Sequence, residues 1–223
     1  AYTFAAINKS IANLTLTGQY ALVQDVAALA DVDVYYVEAN YALPMNGFKL
    51  GFDANYRGSK TGNALDTSNY EGTYTAARVS VSELAGFGAS FAYGTVDSSD
   101  SVIMGMGNGP TSYTSTMIRG TSTRTLADTD SYLFAATYDF SKIGVAGLTA
   151  LAQYGWTKDG VSAPGKTVDY KNQAVGVTYA VPYLKGLTTA LQYEAQEAET
   201  TTTLSGAKVD VDTNELWFKA GYK

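Results

Sequence analysis

The 223-residue chain contains no histidine and no cysteine. Without histidine it has neither a Ser-His-Asp triad nor the imidazole ligands that are commonest at zinc sites. Without cysteine it has no disulfide, no thiolate metal ligand and no thiol nucleophile. The composition therefore disfavours an enzyme and leaves only serine or carboxylate mechanisms open.

The chain also lacks the apolar run of about 20 residues that a membrane-spanning helix requires. Its mean hydropathy is only -0.08, although 46% of its residues are hydrophobic and 13% are aromatic. A transmembrane β-barrel has a similarly low average because apolar and polar residues alternate along each strand. The hydropathy thus argues against a helical membrane protein and is compatible with a membrane barrel.

The last ten residues, Asn214 to Lys223, alternate with a period of two. One face is apolar and the other carries both signs of charge: Leu216, Phe218, Ala220 and Tyr222 against Glu215, Trp217, Lys219 and Gly221. An apolar outside around a charged inside inverts the pattern of a soluble barrel. We interpret this segment as the closing strand of a membrane barrel.

The same period of two recurs along the chain and predicts eleven antiparallel strands. These are residues 1–8, 14–22, 34–43, 48–57, 70–82, 87–96, 132–140, 148–156, 172–181, 187–196 and 214–223. Short connections alternate with long polar links at 24–33, 58–69, 97–130, 157–170 and 197–213. Because outer-membrane barrels have short periplasmic turns and long outer loops, we predict an all-β transmembrane antiparallel barrel as a single domain, 1–223.

A soluble β-sandwich is the main alternative, since any single strand of this kind would fit it equally well. Two features favour the membrane. Strands of about ten residues match a tilted bilayer crossing, and nearly every apolar face ends in Tyr, Phe or Trp, as interfacial aromatic girdles require. Bacterial single-chain barrels close with an even number of strands, so eleven strands predict a portion of a longer protein.

Charged residues on the opposite, inward face are the candidate pore-lining residues. They are Glu38, Lys49, Asp53, Arg57, Arg78, Asp139, Glu194, Glu215 and Lys219. Five acids against four bases, with further acids in the outer loops, predict a weak cation preference that salt would screen. Arg57 and Arg78 are expected on neighbouring strands, facing water as a local basic patch.

The longest link, Asp97 to Asp130, is expected to narrow the outer entrance, because loops beyond about 12 to 15 residues are usually functional or mobile. Acidic residues at Asp97, Asp100, Asp128 and Asp130 could hold calcium through oxygen ligands, but a solvated loop is the simpler interpretation. The glycines around Met104-Gly105-Met106-Gly107 lack the strand-to-helix context of a phosphate cradle. They are predicted to be loop.

Two hairpins carry a family resemblance. Residues 130–156, D-S-Y-L-F-A-A-T-Y-D-F through A-Q-Y-G-W, and the turn V-P-Y-L-K-G-L at 181–187 resemble OprD-type porins and the Campylobacter-type major outer membrane proteins. The rest of the likeness, from about Leu14 onward, is a diffuse strand-and-turn pattern. The resemblance implies an eighteen-stranded barrel, often trimeric, of which this chain would be the C-terminal part, with the family's constriction loop lying elsewhere.

The sequence therefore predicts a bacterial outer-membrane porin for passive diffusion of ions and small hydrophilic solutes. No cofactor or catalytic residue is assigned. Its expected partners are membrane lipid, lipopolysaccharide and further copies of itself in a trimer, with no nucleic acid. A structural or adhesive barrel that acts through its outer loops stays open, and bilayer conductance would separate the two.

Overall fold

A computed structural model describes residues 1–26, 31–61, 70–105, 109, 112–118 and 124–222. Eleven strands run through this part of the chain: β1 Tyr2–Asn8, β2 Leu14–Val23, β3 Val32–Met45, β4 Phe48–Thr61, β5 Thr73–Leu84, β6 Phe87–Val96, β7 Asp130–Asp139, β8 Leu148–Ala163, β9 Lys166–Ala180, β10 Leu187–Thr202 and β11 Ala207–Tyr222. A short 3-10 helix, Phe140–Ile143, lies between β7 and β8. Within these residues, no helix has the length and apolar character needed to cross a membrane.

All eleven strands form one antiparallel sheet in sequence order, as predicted. Among the described residues, pairing joins each strand to its neighbours in sequence and does not join β1 to β11. The eleven strands are therefore an open segment of a barrel wall. Parts of three predicted links, at 27–30, at 62–69 and, within 97–130, at 106–108, 110–111 and 119–123, lie outside the described residues, as does the final Lys223.

The prediction was wrong for two connections near the end of the chain. Residues 157–170 and 197–213, expected as long links, mostly continue β8 to β11, and the connections are reduced to tight hairpins. The alternation of apolar and polar residues marks only the part of each strand that faces lipid. The hydrogen-bonded pairing of neighbouring strands continues beyond that part. Beyond Trp156 the outward residues become polar, and the pairing goes on without an apolar face.

The outward face carries large apolar side chains in direct contact with the surroundings. Phe52, Val79, Phe91 and Phe134 lie opposite one another on β4 to β7, and each is more than 40% exposed. Such a continuous apolar band is the surface that a bilayer covers in a transmembrane barrel.

Tyrosines mark the edge of this band nearer the long connections. On three strands a Tyr hydroxyl donates to a side chain of the neighbouring strand that lies two residues beyond the residue directly opposite the Tyr. The pairs are Tyr20 to Asp33, Tyr93 to Asp130 at 2.6 Å, and Tyr193 to Asn214 at 3.1 Å. Each ring lies within the apolar band, while its hydroxyl group reaches a polar side chain beyond the edge of that band. This is the arrangement expected at a membrane interface, where one end of the ring is apolar and the other wet.

The inward face is concave, and the loop between β6 and β7 contacts it through its described residues, which lie within 97–105, 109, 112–118 and 124–129. Tyr113 contacts Glu38 on β3, and Thr116, three residues later, contacts Glu194 on β10. Seven strand spacings would separate β3 from β10 by about 34 Å in a flat sheet, whereas three residues span at most about 11 Å. The two glutamate side chains do not close this gap, because side chains of a strand stand roughly perpendicular to the sheet. The sheet must therefore curve around the β6–β7 loop.

Glycines shape the turn between β7 and β8 and provide a test of its geometry. Gly144 and Gly147 both have positive φ, +93° and +81°, but an added Cβ would lie 2.2 Å from the Ala180 carbonyl oxygen only at Gly147. We expect Gly144→Ala to cost about 1 kcal/mol of unfolding free energy through the left-handed backbone alone. Gly147→Ala should cost more than twice as much. Denaturant unfolding of the protein in lipid vesicles measures both, and equal losses would contradict the close contact between the turn and β9.

Candidate functional site

The candidate site is the inner wall together with the β6–β7 loop, which meets that wall at several points. Tyr113 of the loop donates to Glu38 and accepts from the Asn40 amide at 3.4 Å. The Arg78 guanidinium carbon lies 4.6 Å from the centre of the Tyr113 ring, a distance typical of a cation–π contact. Tyr113 thus joins the loop to β3 and β5.

Arg78 and Asp53, both predicted to line the pore, form an ion pair across β4 and β5. The Arg78 Nε and Nη2 atoms each lie 2.8 Å from Asp53 Oδ2, and the Asn40 amide donates to Asp53 Oδ1 at 2.9 Å. The Asp53 side chain is 9% exposed and that of Arg78 is 37% exposed. Arg78 is therefore the member of the pair that a solute could touch.

Arg57 does not face water as predicted. Its side chain is fully buried, with the guanidinium carbon 4.8 Å from the Tyr36 ring centre and 5.6 Å from that of Tyr74. The two arginines do lie on neighbouring strands, but Arg57 is buried against the aromatic rings of Tyr36 and Tyr74. The expected basic patch is reduced to Arg78.

Glu194 is likewise buried rather than exposed to the lumen. Its carboxylate accepts hydrogen bonds from the Thr116 hydroxyl at 2.6 Å, the Ile118 amide at 2.8 Å and the Asn172 side chain at 2.8 Å. Two of these donors belong to the β6–β7 loop. Glu194 therefore fastens the loop to β10.

A buried arginine of the loop provides positive charge near this carboxylate. Glu194 lies directly opposite Glu215 in the β10–β11 ladder, and like charges in that position are destabilising. Arg124 is fully buried; burial lowers the pKa of its guanidinium to about 10, while the Glu194 carboxylate acts in the opposite direction. Arg124 therefore stays charged at neutral pH and offsets the acidic charge of the wall.

Buried hydroxyl groups join the middle of the loop to β5 and β7. Tyr74 contacts Ser112 and lies 3.2 Å from the Thr114 hydroxyl, which in turn lies 2.9 Å from that of Ser131. Ser131 also donates to the Gly94 carbonyl at 3.0 Å. This chain of hydroxyl groups satisfies buried polar atoms between loop and wall.

The remaining predicted pore residues make contacts with other wall residues. Lys49 pairs with Glu83 at 2.7 Å near the short turns, and Asp139 accepts from the Ser141 amide at 2.9 Å as the cap of the 3-10 helix. On β11, Lys219 lies 4.6 Å from the Trp217 ring centre, and Glu215 accepts from the Trp217 indole at 2.8 Å.

Two of the four acidic residues considered for calcium, Asp97 and Asp130, accept hydrogen bonds from protein donors. Asp97 accepts from the Thr73 amide and hydroxyl and from Ser99, whereas Asp130 accepts from Tyr93 on the outward face. Across the described segments, no three acidic, His or Cys side chains converge to hold a metal. The Met106 and Gly107 part of the glycine cluster lies outside these segments.

The alternation pattern gave no indication of the residues on which the loop rests. Several inward positions are apolar and buried, among them Val34, Ala92 and Leu133. An inward face that meets only water should be polar, so an apolar inward residue was the available signal. It predicts that protein covers the wall there.

Comparison with known proteins supports the barrel. No protein-family model and no curated protein sequence matches the chain. Solved structures do match: Pseudomonas aeruginosa OpdL at 17% identity and TM-score 0.71, covering 97% of this chain, Acinetobacter baumannii OccAB4 at 18%, 0.70 and 99%, and P. aeruginosa OccK10 (OpdN) at 14%, 0.70 and 98%. The fold is that of an OprD-type porin.

The predicted resemblance is thus confirmed in the fold, and the curved sheet is a segment of a transmembrane β-barrel. The chain spans 58%, 52% and 59% of these three porins, respectively. An OprD-type wall with an apolar outside and a polar inside accounts for both faces described above.

Glu194 provides a test of the loop attachment. Glu194→Gln should lower the free energy of unfolding by about 2–3 kcal/mol, since hydrogen bonds to a charged acceptor are lost and an amide group meets existing donors. The matched control is Glu197→Gln on the same strand, whose side chain is 61% exposed and 3.7 Å from Lys171. It should change stability by less than about 0.5 kcal/mol. Similar losses in both variants, measured by denaturant unfolding, would contradict the attachment.

Asp97, at the start of the loop, gives a pH-dependent prediction. Desolvation would raise the pKa of its carboxyl, but hydrogen bonds from Ser99 and Thr73 outweigh it and lower the pKa to about 2. The depressed value means that Asp97 stabilises the fold above the unfolded pKa of 3.8 and loses this effect as pH falls towards 2. Asp97→Asn should remove this component. Unfolding midpoints of both proteins between pH 5 and pH 2 measure it, and parallel curves would refute the assignment.

Proposed function

We propose that this chain forms part of the wall of an outer-membrane porin through which ions and small hydrophilic solutes diffuse. The observation that carries the proposal is the OprD-type fold combined with a β6–β7 loop that lies inside the curved wall. Such a channel needs no catalytic chemistry, which agrees with the composition. The expected location is the bacterial outer membrane, among lipid and lipopolysaccharide.

The loop narrows the passage and determines which wall charges a solute meets. Because Arg57 and Glu194 are fully buried, they do not contact solutes. Among the predicted pore residues this leaves four acids, Glu38, Asp53, Asp139 and Glu215, against three bases, Lys49, Arg78 and Lys219. The excess of acids over bases is therefore one, as it is among all nine predicted pore residues.

A weak cation preference remains our proposal for ion passage. Ion pairs neutralise part of the wall charge, since Asp53 holds Arg78 and Lys49 holds Glu83. The remaining acidic bias acts through water and is screened beyond about 8 Å at physiological ionic strength. Selectivity should therefore be small in concentrated salt and grow on dilution.

An adhesive or structural role is the second candidate, and one observation favours it. The strands β8 to β11 extend past the aromatic residues Trp156 and Tyr193 and end in hairpins. The outward side of these extensions carries two exposed ion pairs, Lys171 with Glu197 and Lys208 with Glu199. Paired ribbons beyond a membrane interface could contact other molecules. A trimer, which the resemblance implies, is a further part of the proposal.

Planar-bilayer recording of the full-length protein tests the channel and its selectivity together. We expect defined open levels and a reversal potential of cation sign in a salt gradient, larger in dilute than in concentrated salt. Arg78→Gln should increase the cation preference, because it removes the exposed base beside Asp53. The control is Lys208→Gln, at a surface pair with Glu199. The absence of any defined open level would instead favour the adhesive role, and clear anion selectivity would refute the cation preference.

A further inference from the structure

A cavity of about 550 Å³ opens between three short turns at one end of the barrel wall. These turns join β3 to β4, β5 to β6 and β7 to β8. The lining includes two apolar side chains, Met45 and Phe48, and four charged ones, Lys49, Glu83, Asp139 and Lys142. Because the turns end strands that cross a membrane, the cavity lies where the apolar band meets water.

The charged groups of this cavity leave one cation free. Lys49 pairs with Glu83 at 2.7 Å, and Asp139 accepts from the Ser141 amide at 2.9 Å. These contacts use one oxygen of each carboxylate, Oε1 of Glu83 and Oδ1 of Asp139. In the described part of the chain, no hydrogen bond or ion pair engages the Lys142 ammonium group. The cavity therefore offers a cation together with carboxylates that can accept further hydrogen bonds.

The fold holds Lys142 at this cavity. Lys142 lies in the last turn of the 3-10 helix, which Asp139 caps at its start. A Cβ added at Gly86, in the neighbouring β5–β6 turn, would lie 2.7 Å from Lys142 Cγ and 2.8 Å from the Asp139 carbonyl oxygen. Because Gly86 has no side chain, the Lys142 stem can lie against that turn. The position of the ammonium group thus follows from two adjacent turns.

An apolar groove of about 450 Å³ lies beside the cavity, on the lipid-facing surface of β7 to β10. Small outward side chains form its floor: Ala136, Ala150 and Ala152. Phe87 and Tyr138 line one end of the groove. Their chain neighbours, Gly86 and Asp139, line the cavity, so the two spaces adjoin. A charged cavity at the interface next to an apolar groove across the membrane matches the two parts of a phospholipid.

We propose that this cavity and groove bind one phospholipid whose head group carries both a phosphate and a primary ammonium group. Its phosphate meets Lys142, and its ammonium group donates to Glu83 and Asp139. Two bases and two acids give the lining no net charge, which fits a zwitterionic head group better than an anionic one. An acyl chain fills the groove and gains dispersion contacts there. The proposal rests on the membrane location given above and does not depend on conduction.

Native mass spectrometry of the full-length protein in detergent tests the head-group preference. Phosphatidylethanolamine, phosphatidylcholine and phosphatidylglycerol with identical acyl chains are added in turn, and the fraction of protein that carries one lipid gives the affinity. We expect phosphatidylethanolamine to bind about fivefold more tightly than either of the others, since phosphatidylcholine has no N–H donor and phosphatidylglycerol has no cation. Equal affinity for all three, or tighter binding of phosphatidylglycerol, would overturn the proposal.

Two pairs of variants locate the site. Lys142→Gln should lower the affinity for phosphatidylethanolamine about fivefold, whereas Lys185→Gln, on the β9–β10 turn, should leave it unchanged. Ala152→Leu fills the groove and should also weaken binding, while Ala220→Leu on the outward face of β11 should not. All four side chains are exposed, so the variants should fold.

Equal affinities within either pair of variants would overturn the site. A complex of several copies of the chain that carries no lipid would overturn it too, because a second copy would then cover the groove. A protein that conducts no current and keeps the preference for phosphatidylethanolamine would support the lipid site and refute the channel alone.

Discussion

The structure depends on one constraint, the satisfaction of backbone hydrogen bonds where no water is present. An antiparallel ladder meets it by pairing each strand with its neighbours, and the period of two then gives each strand one face toward lipid and one toward the interior. Phe52, Val79 and Phe91 form the outer band, while Asp53 and Arg78 lie on the inner side of β4 and β5. Both the outer surface and the polar passage follow from this single arrangement.

The interior adds a second requirement, because a chain segment placed inside a barrel must satisfy its own polar groups. The β6–β7 loop does so by exchanging hydrogen bonds with wall side chains, and by burying Val102 and Ile103 against apolar inward residues. Charged groups become structural in the process. Glu194 loses contact with water and holds the loop, and Arg57 is buried against aromatic rings. Arg78 stays partly exposed while its guanidinium lies over the Tyr113 ring.

Much of the fold could be predicted from the sequence, because lipid and water impose a strict alternation on every residue between them. The eleven strands, their order and the outward aromatic residues were predicted in this way. The extension of β8 to β11 was not, since pairing beyond Trp156 needs no apolar face. The candidate site was predicted less well. The alternation along β10 indicates that Glu194 points inward, but it does not indicate whether water or a loop lies there.

The sequence by itself determined the class of fold and the inward or outward direction of each strand residue, since both follow from local periodicity and from the absence of helical spans. Only the tertiary structure decided which inward charges are exposed. That depends on where residues distant in sequence meet, as when Tyr113 reaches Glu38 and Thr116 reaches Glu194. No local pattern encodes such contacts, because they arise from the curvature of the whole sheet around its loop.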